Sequence, residues 1–198
     1  MAIVNGYCTL AEVKAALRVT DSIDDALIEL SVAGASRQID GYCERVFYST
    51  SATRVYTPES YTLCQVDDLV SVTTLKTSGD GSTFDTTWAA TDYQLEPLNG
   101  VSGGLVQPAT RIRAVGDYFF PVAQLMMPAQ VQVVGTFGWS AVPAAIKQAT
   151  ILLAMRQFKR YDSPLGVMGF GDLGAVRVGR IDPDVEALIM PFKKIEMA

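Results

Sequence analysis

The spacing of apolar residues changes twice along this chain, and those two changes dictate its architecture. From about residue 9 to 46 apolar positions recur every three to four residues; from about Thr50 to Phe137 β-branched residues alternate in short runs; after Trp139 the helical spacing returns. No internal repeat interrupts the pattern. Helices at both ends around a β-rich middle predict an α+β fold: a helical bundle core formed by both ends of the chain, with an antiparallel β-rich module inserted. The expected segments are 1–49 for the N-terminal core helices and 50–138 for the insertion. The C-terminal core helices take 139–198, with a glycine-rich loop at 162–180.

Local signals place the helices. Thr9-Leu10-Ala11-Glu12 is a capping box, and Leu10, Val13 and Leu17 follow on one face. Asp21-Ser22 opens a second helix, with Asp24 and Asp25 in a first turn whose dipole favours anions. Along it Ile28, Val32, Ala35, Ile39 and Tyr42 form one stripe, and Ile23, Leu27 and Leu30 begin another. Two stripes call for burial against more than one neighbour. Pro143 suits a first helical turn, and Ala144 to Tyr161 holds no further Pro or Gly. The middle of that helix, Ile151 to Met155, is apolar all round, as in a buried helix. Asp182-Pro183 caps a last short helix whose apolar face is Val185, Leu188, Ile189 and Phe192.

The β-rich middle has runs at 53–56, 69–75, 111–115 and 130–134, with a hairpin-turn signal at Gly79-Asp80-Gly81 and an open loop expected over Gly100 to Pro108. Residues 118–128 fit neither period. This stretch, Tyr118-Phe119-Phe120-Pro121 through Leu125-Met126-Met127-Pro128, is apolar and bracketed by prolines. Two readings stand for it: ordinary core, or a sticky loop that a partner subunit covers.

Composition removes most chemistry. The chain has 198 residues, 49% hydrophobic and 19% charged, too apolar for disorder. No apolar run approaches the roughly 18 residues of a membrane span, and the first residues lack a basic signal-peptide region, so neither feature is expected. Histidine is absent, which excludes imidazole bases and ligands. The three cysteines, Cys8, Cys43 and Cys64, are scattered, which suits buried thiols in a reducing compartment better than zinc. A net charge of -5 argues against a dedicated nucleic-acid binder. Gly169-Phe170-Gly171-Asp172-Leu173-Gly174 matches the letters of the dinucleotide fingerprint but follows a helix instead of a strand, and no acidic residue stands about 20 positions on. No cofactor and no metal site are expected. Asp67 and Asp68, adjacent on a strand, point to opposite faces and are poorly placed to share a substrate or metal. Arg156, Lys159 and Arg160 close a helix without acidic residues. They either compensate its dipole or contact DNA or an acidic partner.

Taken in order, several segments resemble one family. They are Tyr7-Cys8-Thr9-Leu10-Ala11-Glu12-Val13-Lys14, Ile39-Asp40-Gly41-Tyr42-Cys43, Val66-Asp67-Asp68-Leu69-Val70-Ser71-Val72, Phe137-Gly138-Trp139, Val142 to Ala149, Arg160 to Gly166, and Asp182-Pro183-Asp184-Val185. The chain resembles the head–tail connector (head-completion adaptor) family of tailed bacteriophages, in its longer form with a β insertion.

That resemblance implies an assembly role and no enzymatic one. Such adaptors form a ring, typically of about twelve copies, beneath the portal of the capsid, extend the DNA channel and offer a platform for the next neck or tail protein. The implied place is the neck of a virion assembled in the bacterial cytoplasm. The partners would be further copies of the chain, the portal, the next neck or tail protein and, transiently and without sequence preference, viral DNA; no membrane is involved. Phe119, Phe120, Leu125, Met126, Met127, Val167, Met168, Phe170 and Leu173 are the candidate ring or portal contacts. Arg156, Lys159 and Arg160 are candidate channel or docking charges. The competing readings are another neck component, a stopper or tail-completion protein, and a small enzyme or sugar-binding module using Asp67, Asp92, Glu96 or Asp117.

Overall fold

A computed structural model describes residues 3–102, 104–122, 128–161, 167–169, 175–177 and 182–194, the two three-residue segments by backbone alone. In chain order the first elements are α1 (Leu10–Leu17), α2 (Asp25–Cys43), β1 (Thr50–Tyr56), β2 (Leu63–Ser78), β3 (Thr86–Trp88), β4 (Tyr93–Glu96), β5 (Val101–Ser102) and β6 (Leu105–Val106). They are followed by β7 (Ala109–Ala114), β8 (Gln130–Phe137), α3 (Ala144–Arg160), β9 (Val167–Gly169), β10 (Ala175–Arg177), α4 (Pro183–Ile189) and a 3-10 turn, Met190–Phe192. The chain is α+β. It divides into two compact units, Met1–Arg45 with Val142–Ala198, and Val46–Ala141.

In the helical unit, α1 starts with a reciprocal cap. The Glu12 N–H donates to Thr9 Oγ1 at 3.2 Å, and the Thr9 N–H donates to Glu12 Oε2 at 2.8 Å, so two orphan donors of the first turn are satisfied. The second helix begins later than Asp21-Ser22 suggests. Asp21 accepts the Ile23 N–H on its own carboxylate at 3.1 Å, while Lys14 Nζ donates to the Asp21 carbonyl at 2.5 Å and to Asp25 Oδ1 at 2.6 Å. An Asp that satisfies its neighbour's backbone in this way competes with helix, so residues 21–24 form a turn and α2 starts at Asp25.

Ile28, Val32, Ala35 and Ile39 are fully buried, the Ile and Val side chains contributing about 1.5–3 kcal/mol each by leaving water. Tyr42, expected on the same stripe, instead keeps its hydroxyl outside and donates to Glu186 at 3.0 Å. On α3 the buried face is Ile146, Ala149, Thr150, Leu153, Ala154 and Phe158. Leu152 turns outward, so among the described residues this helix is not covered all round. Lys147 Nζ reaches Glu12 Oε1 at 2.9 Å and ties α3 to α1. Asp182 caps α4 by accepting the Asp184 N–H at 3.0 Å, and Val185, Ile189 and Phe192 are buried. Within the segment expected as a glycine-rich loop, β9 and β10 pair antiparallel, Met168 opposite Val176.

The β unit is built on one antiparallel sheet in the order β1-β8-β2-β7-β4, with β3 paired to the far end of β2. Register slips along β2, between Gln65 and Leu69 and again past Ser71, are bulges that let one long strand serve two partners and bend. In β8 every second residue, Val131, Val133, Gly135 and Phe137, faces inward. With Leu69, Leu75, Ile112 and Trp88 these side chains form the core. Gly138 follows at φ +96°, its N–H donating to the Asp68 carbonyl at 2.7 Å. A Cβ at this position would lie 1.9 Å from the Tyr48 carbonyl oxygen, so only glycine fits.

Two expectations are corrected here. The Gly100 to Pro108 stretch is a small hairpin, with Val101 opposite Val106 and the Gln107 N–H on the Gly100 carbonyl at 2.8 Å. Gly104, at φ +77°, supplies the left-handed residue that the turn needs. Phe120 belongs to the core and not to an outer contact. It stacks on Trp88 with ring centroids 4.7 Å apart, and its N–H is held by the Tyr61 carbonyl at 2.7 Å.

Candidate functional site

The carboxylates that could do chemistry are all accounted for by scaffold partners or stand alone. Asp67 is exposed and pairs with Arg54 at 2.6 Å, with the Tyr56 hydroxyl donating at 3.1 Å. Asp68, one residue on, faces inward and accepts the Trp139 indole N–H at 3.1 Å. Opposite faces were expected for this pair, and opposite faces are found. Asp92 closes a turn by accepting the Ala89 N–H at 2.7 Å and the Thr91 hydroxyl at 3.0 Å. Glu96 meets Arg113 through two contacts, at 2.6 and 3.2 Å, and hydrogen bonding to that guanidinium holds its pKa below the ordinary carboxylate range. Asp117 is exposed on a turn. These five groups do not converge on one pocket.

An apolar groove of the β unit, about 300 Å³, is lined by Leu69, Leu95, Leu98 and Val106 with Gln107 and Ser140, and no carboxylate lines it. Burial pushes the thiols upward, Cys8 and Cys64 to about 12 and Cys43 to about 11, which leaves them protonated and unreactive. Among the described residues no group of His, Cys, Asp and Glu could hold a metal ion, and no helix is long and apolar enough to cross a membrane.

What the surface does offer is apolar side chains left in water. On the helical unit Leu27 and Leu30 of α2 are 38% and 47% exposed, and Ile23, in the turn just before that helix, is 86% exposed. The outer face of α3 carries Leu152, then Arg156, Lys159 and Arg160, with Tyr161 beyond them. On the β unit Tyr61, Tyr118 and Phe119 are exposed, as are Leu98, Val101 and Val106 around the small hairpin. Isolated exposed apolar residues are ordinary, but runs of them on one helix face mark contact surfaces.

The sequence-expected contact residues divide accordingly. Phe119 is exposed and Phe120 is core. Leu125, Met126, Met127, Phe170 and Leu173 lie outside the described residues, and Val167 and Met168 are placed only as backbone of β9. Arg156 is half-buried and engaged, while Lys159 and Arg160 are exposed. The open stripe on α2 is the surface the sequence reading left out of its contact set, although its spacing at Ile23, Leu27 and Leu30 was the signal for it.

Comparison with known proteins adds to this geometry. Residues 7–84 match the family described as phage gp6-like head–tail connector protein. No curated protein matches the chain. Among solved structures, a chain in the neck of an empty GTA particle with C6 symmetry is similar over 100% of this chain and 95% of its own length, at 20% identity and a TM-score of 0.60. A chain in the virion of a native gene transfer agent (GTA) particle is similar over 100% and 95%, at 21% identity and a TM-score of 0.59. A third, in the neck of a native GTA particle with C12 symmetry, is similar over 100% and 94%, at 20% identity and a TM-score of 0.54. At such identities the likeness is one of fold. Residues 7–84 are thus similar to the phage gp6-like head–tail connector family, and over its whole length the chain has the fold of chains in GTA particles.

Proposed function

We propose that the chain is a structural neck protein: one subunit of a homo-oligomeric ring that sits below the portal, extends the DNA channel and carries the next neck or tail protein. The observation that carries this reading is the coincidence of a connector-family match over residues 7–84 with an end-to-end fold likeness to chains in GTA necks. The C12 symmetry of one of those necks supports a ring of about twelve copies. Its role is architectural. Asp67, Asp68, Asp92 and Glu96 all serve the scaffold, which supports a non-catalytic reading.

The exposed ring of Phe119 is the described member of the apolar contact set available to a neighbour or to the portal. The net charge of -5 suits a conduit, since a basic wall would hold DNA by its phosphates. Mixing the purified chain with portal rings of its own particle and imaging them tests the reading. Extra rotationally symmetric density on one end of the portal is expected. Bare portals beside persistent monomers would overturn it.

A further inference from the structure

Among the described residues, two surfaces of the helical unit are exposed and have opposite electrostatic character. On α2, Leu27 and Leu30 stand one turn apart on the side away from the buried row of Ile28, Val32, Ala35 and Ile39, and the exposed Ile23 lies in the turn just before the helix. Acids rim this stripe at its start: Asp21 is exposed and Asp24 half-exposed, while Asp25 is occupied by Lys14 at 2.6 Å. On α3, Leu152, Arg156 and Lys159 recur at i, i+4, i+7, with Arg160 alongside, on a helix that contains no acidic residue. One surface is apolar with acidic residues at its start; the other is basic, with a single exposed leucine at its head. Every copy of the chain carries both halves.

An apolar stripe that a second copy covers needs a partner surface on that same chain, and a heterologous contact pairs two different patches of identical subunits. Charge complementarity selects the α3 face as that partner. DNA accounts for the cationic end of α3 less well, because it offers nothing to Leu152 and nothing to the α2 stripe. We propose that the Ile23-Leu27-Leu30 stripe of one copy docks against the Leu152-Lys159-Arg160 face of α3 in a second copy, with Asp21 and Asp24 opposite the two cations. This deepens the neck reading and rests on it only in taking the contact to be the seam between neighbours in the ring. Like-charge opposition across such a seam is strongly unfavourable, and the attraction is screened by salt.

The full-length chain is tested by sedimentation across a concentration series at low salt. The wild type should self-associate, less so as salt rises. Asp21→Lys with Asp24→Lys in one variant, and Lys159→Glu with Arg160→Glu in another, should each weaken association at least about tenfold. An equimolar mixture of the two should recover it to within about threefold, because every junction between unlike variants again faces opposite charges. That recovery also shows that both variants are folded. Undiminished association of either variant alone, a mixture that fails to recover, or a wild type that stays monomeric throughout would each overturn the seam. Symmetric rings on portals formed equally well by both variants would also overturn it while leaving the neck reading intact. A wild-type chain that never joins a portal ring would overturn the neck reading itself.

Discussion

Trp139 and Asp68, 71 positions apart, are joined inside the β unit by an indole N–H donated to the buried Asp68 carboxylate at 3.1 Å. The same aspartate accepts the Gly138 N–H on its backbone carbonyl at 2.7 Å, so one residue of β2 fixes the end of β8 twice. Phe47 packs on the Trp139 ring with centroids 5.5 Å apart. Where the chain enters and leaves the β unit, it is therefore held by one cluster. Replacing Asp68 with Ala should strand a buried indole donor and cost about 1–3 kcal/mol. Asp67→Ala, which removes only the exposed pair with Arg54, should cost under about 1 kcal/mol. Urea unfolding of the two variants, followed by tryptophan fluorescence, measures the contrast.

A second contrast separates two glycines with positive φ. Gly138→Ala sets a Cβ 1.9 Å from the Tyr48 carbonyl oxygen, whereas a Cβ on Gly104 meets nothing within 4 Å. The first substitution should destabilise by about 3 kcal/mol or more and impair folding of the β unit. The second should cost only about 1–2 kcal/mol of left-handed backbone strain. Thermal melts of the two variants beside the wild type give the result.

The thiols make a prediction about alkaline pH. Each cysteine is buried and its pKa raised, to about 12, 11 and 12 for Cys8, Cys43 and Cys64. In the unfolded chain they ionise near the ordinary value of about 8.5. Stability from these groups is complete below that value and is lost as pH rises towards 11–12, because the unfolded state releases the protons first. A thiol-specific disulfide reagent at pH 8 should label almost nothing in the native protein and all three cysteines in guanidinium. Rapid native labelling of Cys8 or Cys64 would contradict their burial.

On the acid side the informative group is Asp80, at the turn after β2. It accepts the backbone N–H groups of Thr83 and Ser82, each at 2.9 Å, and the Ser78 hydroxyl at 2.8 Å, which together hold its pKa well below the carboxylate range. A depressed folded pKa stabilises above the unfolded value of about 3.9 and is lost as pH falls below it. Asp80→Asn should therefore be less stable than wild type at pH 6, with the gap narrowing at pH 3. Equal stability of the two proteins at pH 6 would contradict the turn.

Much of this fold was legible because its periods are long and unbroken. The capping box at Thr9, the buried row of Ile28 to Ile39, the alternation of Val131 to Phe137 and the Asp182-Pro183 cap all follow from local chemistry and recur in the structure. The misreadings have local causes too. Asp21-Ser22 reads as the opening of a helix, but Asp21 folds back on the Ile23 N–H, and a stretch that reads as loop pairs as two short strands because Gly104 allows the turn. Phe119 and Phe120 are indistinguishable by composition. Which of the two enters the core depends on Trp88, 32 positions upstream of Phe120, and no local pattern reports that. The opposite outcome holds for Ile23, Leu27 and Leu30: their spacing in the sequence announces burial, yet all three are exposed.

Counting the copies bound to a portal ring tests the central claim most directly. Native mass measurement of portals saturated with the chain should give a single discrete species carrying one rotationally complete set of copies, about twelve per portal. A graded mixture of partly decorated portals, or portals carrying no copies at all, would contradict the assignment of this chain to the neck.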